Sequence, residues 1–230
     1  MNPHIIGTSH ISKDSINEIK SSIENEKPDI VAVELDAQRA MSLLQKEVRK
    51  ISFLEMTKLG VKGLLFAKIG QYVQQKLGQM VGVAPGSEMK TALELARKNK
   101  LQIALIDQDI KVTLKNFSKN LTWREKFRFV GDIFKGIFQG KKQLKQLGVD
   151  QLDLKRVPTN ELIEKMMGQL KGRYPSVYKS LVEDRNKYMV KKLVGIMRLH
   201  PEKKILVVVG AGHKKGMQEL LLKVDVVKSA

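Results

Sequence analysis

The chain has 230 residues, 42% hydrophobic and 29% charged, with a formal net charge of +18. That is enough chain for a sizeable core, filled chiefly by aliphatic side chains because aromatics are only 5%. With no cysteine, disulfides, cysteine-ligated zinc and thiol nucleophiles are excluded.

Any metal must therefore be held by Asp, Glu or one of four histidines, His4, His10, His200 and His213. The surplus of positive charge fits an acidic substrate, an anionic membrane surface or nucleic acid, and equally a lysine-rich surface of no special role. No nucleic-acid-binding motif accompanies it, so nucleic acid is not an expected partner. Met1 leads straight into a strand pattern, so no signal peptide is expected. No run reaches the roughly 18 apolar residues of a spanning helix. The expected location of the chain as it stands is the cytoplasm.

Four short apolar runs predict strands: His4–Thr8, Asp29–Glu34, Gln102–Asp107 and Lys204–Val209. They are nearly continuous in aliphatic residues, as strands buried on both faces of a parallel sheet are. Helical patterns alternate with them. Ser12–Glu26 has a capping signal, either Ser12 itself or Ser15 three residues before Glu18. Ser87–Lys98 places Met89, Leu93 and Ala96 on one face. Glu161–Leu170 and Val177–Leu199 follow, with Pro158, Pro175 and Pro201 as punctuation. The alternation predicts an α/β fold, a central mainly parallel sheet with helices on its faces.

Two helical insertions, 45–83 and 117–147, are expected within a single domain spanning 1–230. The second is basic: from Lys111 to Lys145, ten Lys or Arg stand against two acids, Glu125 and Asp132. Phe127, Val130, Ile133, Phe134, Ile137 and Phe138 fall on one helical face there. Such a face packs on a neighbouring helix, lies on a membrane surface, or joins two copies as a homodimer.

Each predicted strand ends in polar residues. These ends are Gly7-Thr8-Ser9-His10, then Glu34-Leu35-Asp36 with Arg39, then Asp107-Gln108-Asp109, and last Gly210-Ala211-Gly212-His213. In an open parallel sheet these carboxyl ends share one edge, where ligands bind. The two Gly-x-x-His segments are thus expected to meet. Glycine allows a sharp turn off a strand and close backbone approach. His10 and His213 suit metal ligation or general-base work. Glu34 can complete a metal site or take a proton from water, and Arg39 can hold a carboxylate or developing negative charge. Plainer readings stand beside these. A histidine after a strand can be a hydrogen-bonded loop residue, and Glu34 can cap a helix at its positive end. Gly210-Ala211-Gly212 does not complete a dinucleotide fingerprint, because Lys215 stands where a small residue is needed. His4 and His200 lack comparable context.

Taken in order, these segments resemble the TraB/PrgY pheromone-shutdown family, which is related to the Tiki metalloproteases. The resemblance rests on Gly7-Thr8-Ser9-His10-Ile11-Ser12, Val33-Glu34-Leu35-Asp36 with Arg39, and Gly86-Ser87-Glu88-Met89. It continues through Asp107-Gln108-Asp109-Ile110 with Thr113-Leu114, Glu183-Asp184-Arg185-Asn186 with Tyr188-Met189, and Val209-Gly210-Ala211-Gly212-His213 with Gly216. It covers nearly the whole chain.

The resemblance implies an erythromycin-esterase/ChaN-like core and a divalent-metal-dependent peptidase or hydrolase, with a cation such as Mn²⁺ held by His10, His213 and Glu34. It implies catalytic roles for Glu34, Arg39, Arg185 and Asn186. It implies substrate contacts at Gly7, Ser9, Glu88, Gly210 and Gly212, the substrate being a peptide, including peptide signals that it would inactivate. Some wider relatives use a histidine base rather than a metal. The alternative is a non-catalytic module that sequesters a peptide, associated with a membrane. This chain departs from the family at Gln108 and Asn116, where arginine is common, so a positive charge from the third strand is not expected. Archaeal members tend to carry C-terminal membrane helices, so the resemblance implies either a longer, membrane-tethered native form or a short natural version.

Overall fold

The computed structural model describes residues 3–8, 13–44, 86–129, 131–132 and 160–228. In chain order the elements are β1 (His4–Thr8), α1 (Lys13–Glu26), β2 (Ile30–Val33), α2 (Ala37–Leu44), α3 (Ser87–Lys98), β3 (Gln102–Leu105) and α4 (Ile110–Asn120). A helical stretch, 123–129, follows. Then come α5 (Asn160–Arg173), α6 (Pro175–Tyr178), a π-turn (Lys179–Glu183), α7 (Asp184–Leu199), β4 (Ile205–Gly210) and α8 (Ala211–Lys228). The expected insertion 45–83 lies outside the described residues, as do 133–147 of the second.

The four strands form one sheet in the order β1-β4-β2-β3, and every pairing is parallel. The expected α/β class is therefore what the chain adopts. All four predicted strands occur: β1 with the expected bounds, β2 and β3 shorter than expected, and β4 shifted by one residue to Ile205–Gly210. Ser15 is buried inside α1 rather than capping it; Ser12 lies outside the described residues. The helix expected over Val177–Leu199 begins at Pro175 and carries the π-turn. Pro175 suits a first helical turn, where its missing N–H costs nothing.

Strand alternation divides the core into two layers. Ile6, Val31, Val33, Leu206 and Val208 face α1 and α3, against Ile19, Ile23, Met89 and Leu93. Ile5, Ile30, Ala32, Val207 and Val209 face the other way, against Met189, Val190 and Leu193 of α7 and Met217 and Leu221 of α8. β4 is buried along its whole length, which explains its uninterrupted Ile-Leu-Val-Val-Val.

Gly7 lies on the α8 side of β1. A Cβ there would stand 3.0 Å from Lys214 Cδ and 3.2 Å from Ala211 Cα. The glycine thus admits α8 against the strand, which accounts for the glycine of the first Gly-x-x-His segment. Gly7→Ala should lower stability by about 1–3 kcal/mol through overpacking. Gly195→Ala, in α7, adds a methyl group that would meet nothing within 4 Å beyond its own helix. It should instead raise stability by about 0.5–1 kcal/mol through helix propensity. Urea denaturation of both proteins distinguishes the two effects; equal shifts would contradict the packing role of Gly7.

Candidate functional site

The carboxyl ends of β1 and β4 lie side by side: Gly7 pairs with Val209 and Thr8 with Gly210. Thr8 Oγ1 also donates to the Val209 carbonyl at 3.2 Å. The starts of the two Gly-x-x-His segments are therefore adjacent. Ser9 and His10 lie outside the described residues.

Glu34 continues the alternation of Ile30 and Ala32, and so turns toward the α7–α8 side. One oxygen, Oε2, accepts from the Gly210 amide at 2.6 Å, at the positive end of α8. The other, Oε1, accepts from Arg185 Nη2 and lies 3.3 Å from His213 Nε2. Glu34 thus does serve a helix N-terminus, that of α8. Its second oxygen points into the cluster.

His213 stands in the first turn of α8 and is buried. Its Nδ1 is 2.6 Å from Asn186 Oδ1, and its Nε2 is 3.1 Å from Arg185 Nη1. Asn186 Oδ1 can only accept, so Nδ1 carries a proton and donates to it, while Nε2 faces both the Arg185 guanidinium and the Glu34 carboxylate. Asn186 can adopt this position because Gly216, one turn along α8, has no side chain. A Cβ at Gly216 would fall 2.4 Å from Asn186 Nδ2.

Arg185 joins these groups to β3. Its Nη2 donates to Asp107 Oδ2 at 2.6 Å and its Nε to Asp107 Oδ1 at 3.2 Å. Its Nη1 also reaches the Leu181 carbonyl at 3.1 Å, within the π-turn. Asp107, its side chain fully buried, binds Arg39 Nη2 through Oδ2 at 2.5 Å. Arg39 Nε in turn binds Asp36 Oδ2 at 2.7 Å. Asp36 also caps α2, accepting from the Arg39 amide at 2.8 Å. The Gln108 side-chain amide donates to Thr113 Oγ1 at 2.7 Å.

The charges are matched internally. Burial pushes the Glu34 carboxyl up, but His213, Arg185 and the Gly210 amide outweigh it and hold the pKa below its ordinary value. Burial likewise opposes the Asp107 charge, and Arg185 and Arg39 overcome it, lowering that pKa. Burial also works against the charge on Arg185, and Glu34 and Asp107 more than compensate, raising its pKa.

Of the residues expected here, the structure brings together Glu34, Arg39, Arg185, Asn186, His213 and Gly210. Glu88 is buried in the first turn of α3. Gly212 packs against the Met167 thioether; a Cβ on the glycine would stand 3.3 Å from the sulfur. His4 pairs with Glu26 at 2.6 Å. The sequence places Asp107 at a strand end without a role, and in the structure it anchors both arginines. Its signal is an acid closing an apolar strand, the pattern also seen at Glu34. The π-turn just before Arg185 has no signal in the sequence. Such bulges recur at functional sites, and this one sets the phase at which α7 presents both Arg185 and Asn186.

Could a cation be held here? Among the described residues no group of three or more His, Asp or Glu side chains is placed to hold one. His213 Nε2 and Glu34 Oε1, 3.3 Å apart, do have the separation of two neighbouring ligands on a small cation with bonds of about 2.0–2.2 Å. The Asn186 bond to the opposite ring nitrogen is the support that ligating histidines receive. Arg185 contacts both donor atoms, so a cation there would share or take over its position.

Because the Asp107 pKa lies below its ordinary 3.8, the folded state resists protonation. The stability from this pairing is full above that ordinary value and is lost as pH falls through the lowered folded value. Asp107→Asn leaves two arginines short of a partner, and should cost about 3–5 kcal/mol at neutral pH. It should also show a shallower loss of stability on acidification. Denaturant titrations from neutral to acid pH would measure both; parallel pH curves for the two proteins would contradict the assignment.

Comparison with known proteins gives the site its context. The TraB/PrgY/gumN family profile matches residues 2–225. An uncharacterized protein of Methanocaldococcus jannaschii is 35% identical over 225 residues, covering 96% of this chain and 54% of that protein. TraB domain-containing proteins of Homo sapiens and Bos taurus are each 26% identical over 244 residues, covering 94% of this chain and 61% of theirs. The chain thus spans between half and two thirds of the length of these relatives. With the match running through every element that builds the strand-edge cluster, the chain belongs to the TraB/PrgY/gumN family.

Proposed function

We propose that the strand-edge cluster is a hydrolytic centre acting on peptide bonds, with a divalent cation of the Mn²⁺ type as its cofactor. The observation that supports this reading best is the orientation of His213. Asn186 holds its Nδ1, leaving Nε2 directed at Glu34 and Arg185.

His213 and Glu34, joined by His10, would hold the cation. When bound, it would polarise the scissile carbonyl and lower the pKa of an attacking water. Glu34 is ionised near neutrality and can accept a proton from that water. Arg185 places a guanidinium beside both groups, where it can stabilise negative charge developing on the carbonyl oxygen. Arg39, partly exposed at the edge of the cluster, would bind a carboxylate of the substrate. Asn186 keeps the imidazole in one tautomer.

A second reading is sequestration of a peptide without cleavage. It is favoured by the pairing of Glu34 and Asp107 with Arg185 and Arg39, which leaves the carboxylates already neutralised.

Incubation of the chain with a mixed peptide library, after chelation and after Mn²⁺ is returned, separates the readings by mass spectrometry. Hydrolysis predicts new peptide termini that depend on metal, with a loss of about 100-fold or more in His213→Ala and Glu34→Gln proteins. Intact peptide bound stoichiometrically favours sequestration. Unchanged cleavage in both variants would contradict the proposed centre.

A further inference from the structure

We propose that the outward face of helix 123–129 is a docking surface for an anionic lipid bilayer, with Trp123 and Phe127 as its interfacial anchors. The inference is independent of the hydrolytic reading and involves none of its residues.

The helix is fixed to the fold by its inner side. Glu125 is buried and accepts from the Thr122 amide at 3.1 Å, from Thr122 Oγ1 at 2.7 Å and from the Ser176 amide at 2.8 Å. Phe129 meets the Tyr174 ring edge-on, with centroids 6.4 Å apart. Arg128 Nη1 donates to the Arg173 carbonyl. These contacts set the helix's rotation. Trp123 and Phe127, each two residues from Glu125, are about 200° around the helix from it and share the opposite face.

That opposite face is exposed. Trp123 is 65% accessible and Phe127 72%, and the other described aromatics are more covered. The sequence alone allows this apolar stripe to pack on a neighbouring helix; at Phe127 it does not. Two large aromatic side chains held outward by a fixed helix are costly in water and mark a contact surface.

The surrounding charge says what the surface contacts. From Lys111 to Phe129 there are six basic residues and one acid, Glu125. Glu125 is turned inward under its hydrogen bonds, so the outward side of this segment presents cations alone. Arg124 is exposed beside the aromatics, and Arg128 is exposed farther round the helix, toward Arg173. Lys126 Nζ lies over the Trp123 ring, 4.5 Å from its centroid. Indole and phenyl rings at headgroup depth, with lysines and arginines around them, are the pattern of a peripheral surface on anionic lipid.

Single-stranded nucleic acid also binds aromatic and basic surfaces, by stacking bases on open rings. Here the two rings lean together, with centroids 6.1 Å apart and planes at 31°. Lys126 occupies a face of the indole. Stacking platforms are thereby reduced, while the outward edges of the pair suit insertion into a headgroup layer.

Trp123 is the one tryptophan in the chain, so its fluorescence reports on this surface directly. The full chain would be titrated with phosphatidylcholine vesicles, and with vesicles containing about 30% phosphatidylserine to supply the anionic charge. The expected result is a blue shift with the anionic vesicles only, and quenching by brominated acyl chains. Raising NaCl from about 0.05 M to about 0.5 M should reverse it through screening. Lys126→Glu and Phe127→Ser should each weaken binding about tenfold. Both residues lie outside the core, so folding should be preserved and can be checked by circular dichroism.

Several results would overturn the proposal. They are co-sedimentation without any change in Trp123 emission, undiminished binding by both variants, or no binding at low salt. A response of Trp123 to an oligonucleotide but not to vesicles would reassign the face to nucleic acid. A concentration-dependent shift without vesicles would reassign it to a second copy of the chain.

Discussion

The Arg185 guanidinium is the constraint around which the sheet edge is arranged. It lies between two buried carboxylates, Glu34 at the end of β2 and Asp107 just past β3. It also meets His213 of α8. Two carboxylates confined this closely and out of water would repel, and one would take up a proton. The guanidinium removes that repulsion and lets both remain ionised. It has a cost of its own, since a buried charge is tolerated only when it is fully paired and hydrogen-bonded. The fork of an arginine can meet several partners at once, which the point charge of a lysine could not match. Arg185→Lys is therefore not a conservative change here.

Much of this arrangement is legible in the chain. The four strands are visible as short aliphatic runs, and their parallel order makes the polar strand ends converge. The alternation Ile30, Ala32, Glu34 explains why Glu34 meets α7 and α8 rather than α1. That choice of face cannot be read from the sequence, because β2 is apolar on both sides. The role of Asp107 requires knowing that β3 borders β2, so that arginines from α2 and α7 reach the same carboxylate. Arg185 and Asn186 are indicated only by family resemblance, and no periodicity points to them. The π-turn before them has no compositional signature. Its effect is geometric: one extra residue in the turn rotates everything after it by about 100°, and α7 then aims its two polar residues at His213. The first of the two Gly-x-x-His segments is expected to bring His10 to the cluster. The register of Gly7 and Thr8 against β4 is compatible with that, and His10 itself lies outside the described residues.

The excess positive charge of the chain is distributed with the same logic. At the sheet edge Arg39 and Arg185 face Glu34, Asp36 and Asp107, so the cluster itself carries no surplus of cations. The +18 is carried elsewhere, and the segment from Lys111 to Phe129 is where it coincides with outward aromatics. Glu125 illustrates how one residue can separate the two roles. Its carboxylate is engaged by the amides of Thr122 and Ser176, which both secures the helix and removes the single negative charge from its outer face. The sheet edge is buried and hydrogen-bonded throughout, as the proposed chemistry would need. The outer face of 123–129 is exposed, as the proposed docking surface would need.

The coupling of Arg185 to Asp107 is central to this arrangement, and a double-mutant cycle measures it. Stabilities of the unchanged chain, Asp107→Asn, Arg185→Met and the double variant would be determined by urea denaturation near neutral pH. The predicted result is a coupling of about 2 kcal/mol or more, with the double variant far less destabilised than the sum of the single changes. Additivity within about 0.5 kcal/mol would contradict it, because the two side chains would then contribute to the fold independently and Arg185 would not be the centre of the site.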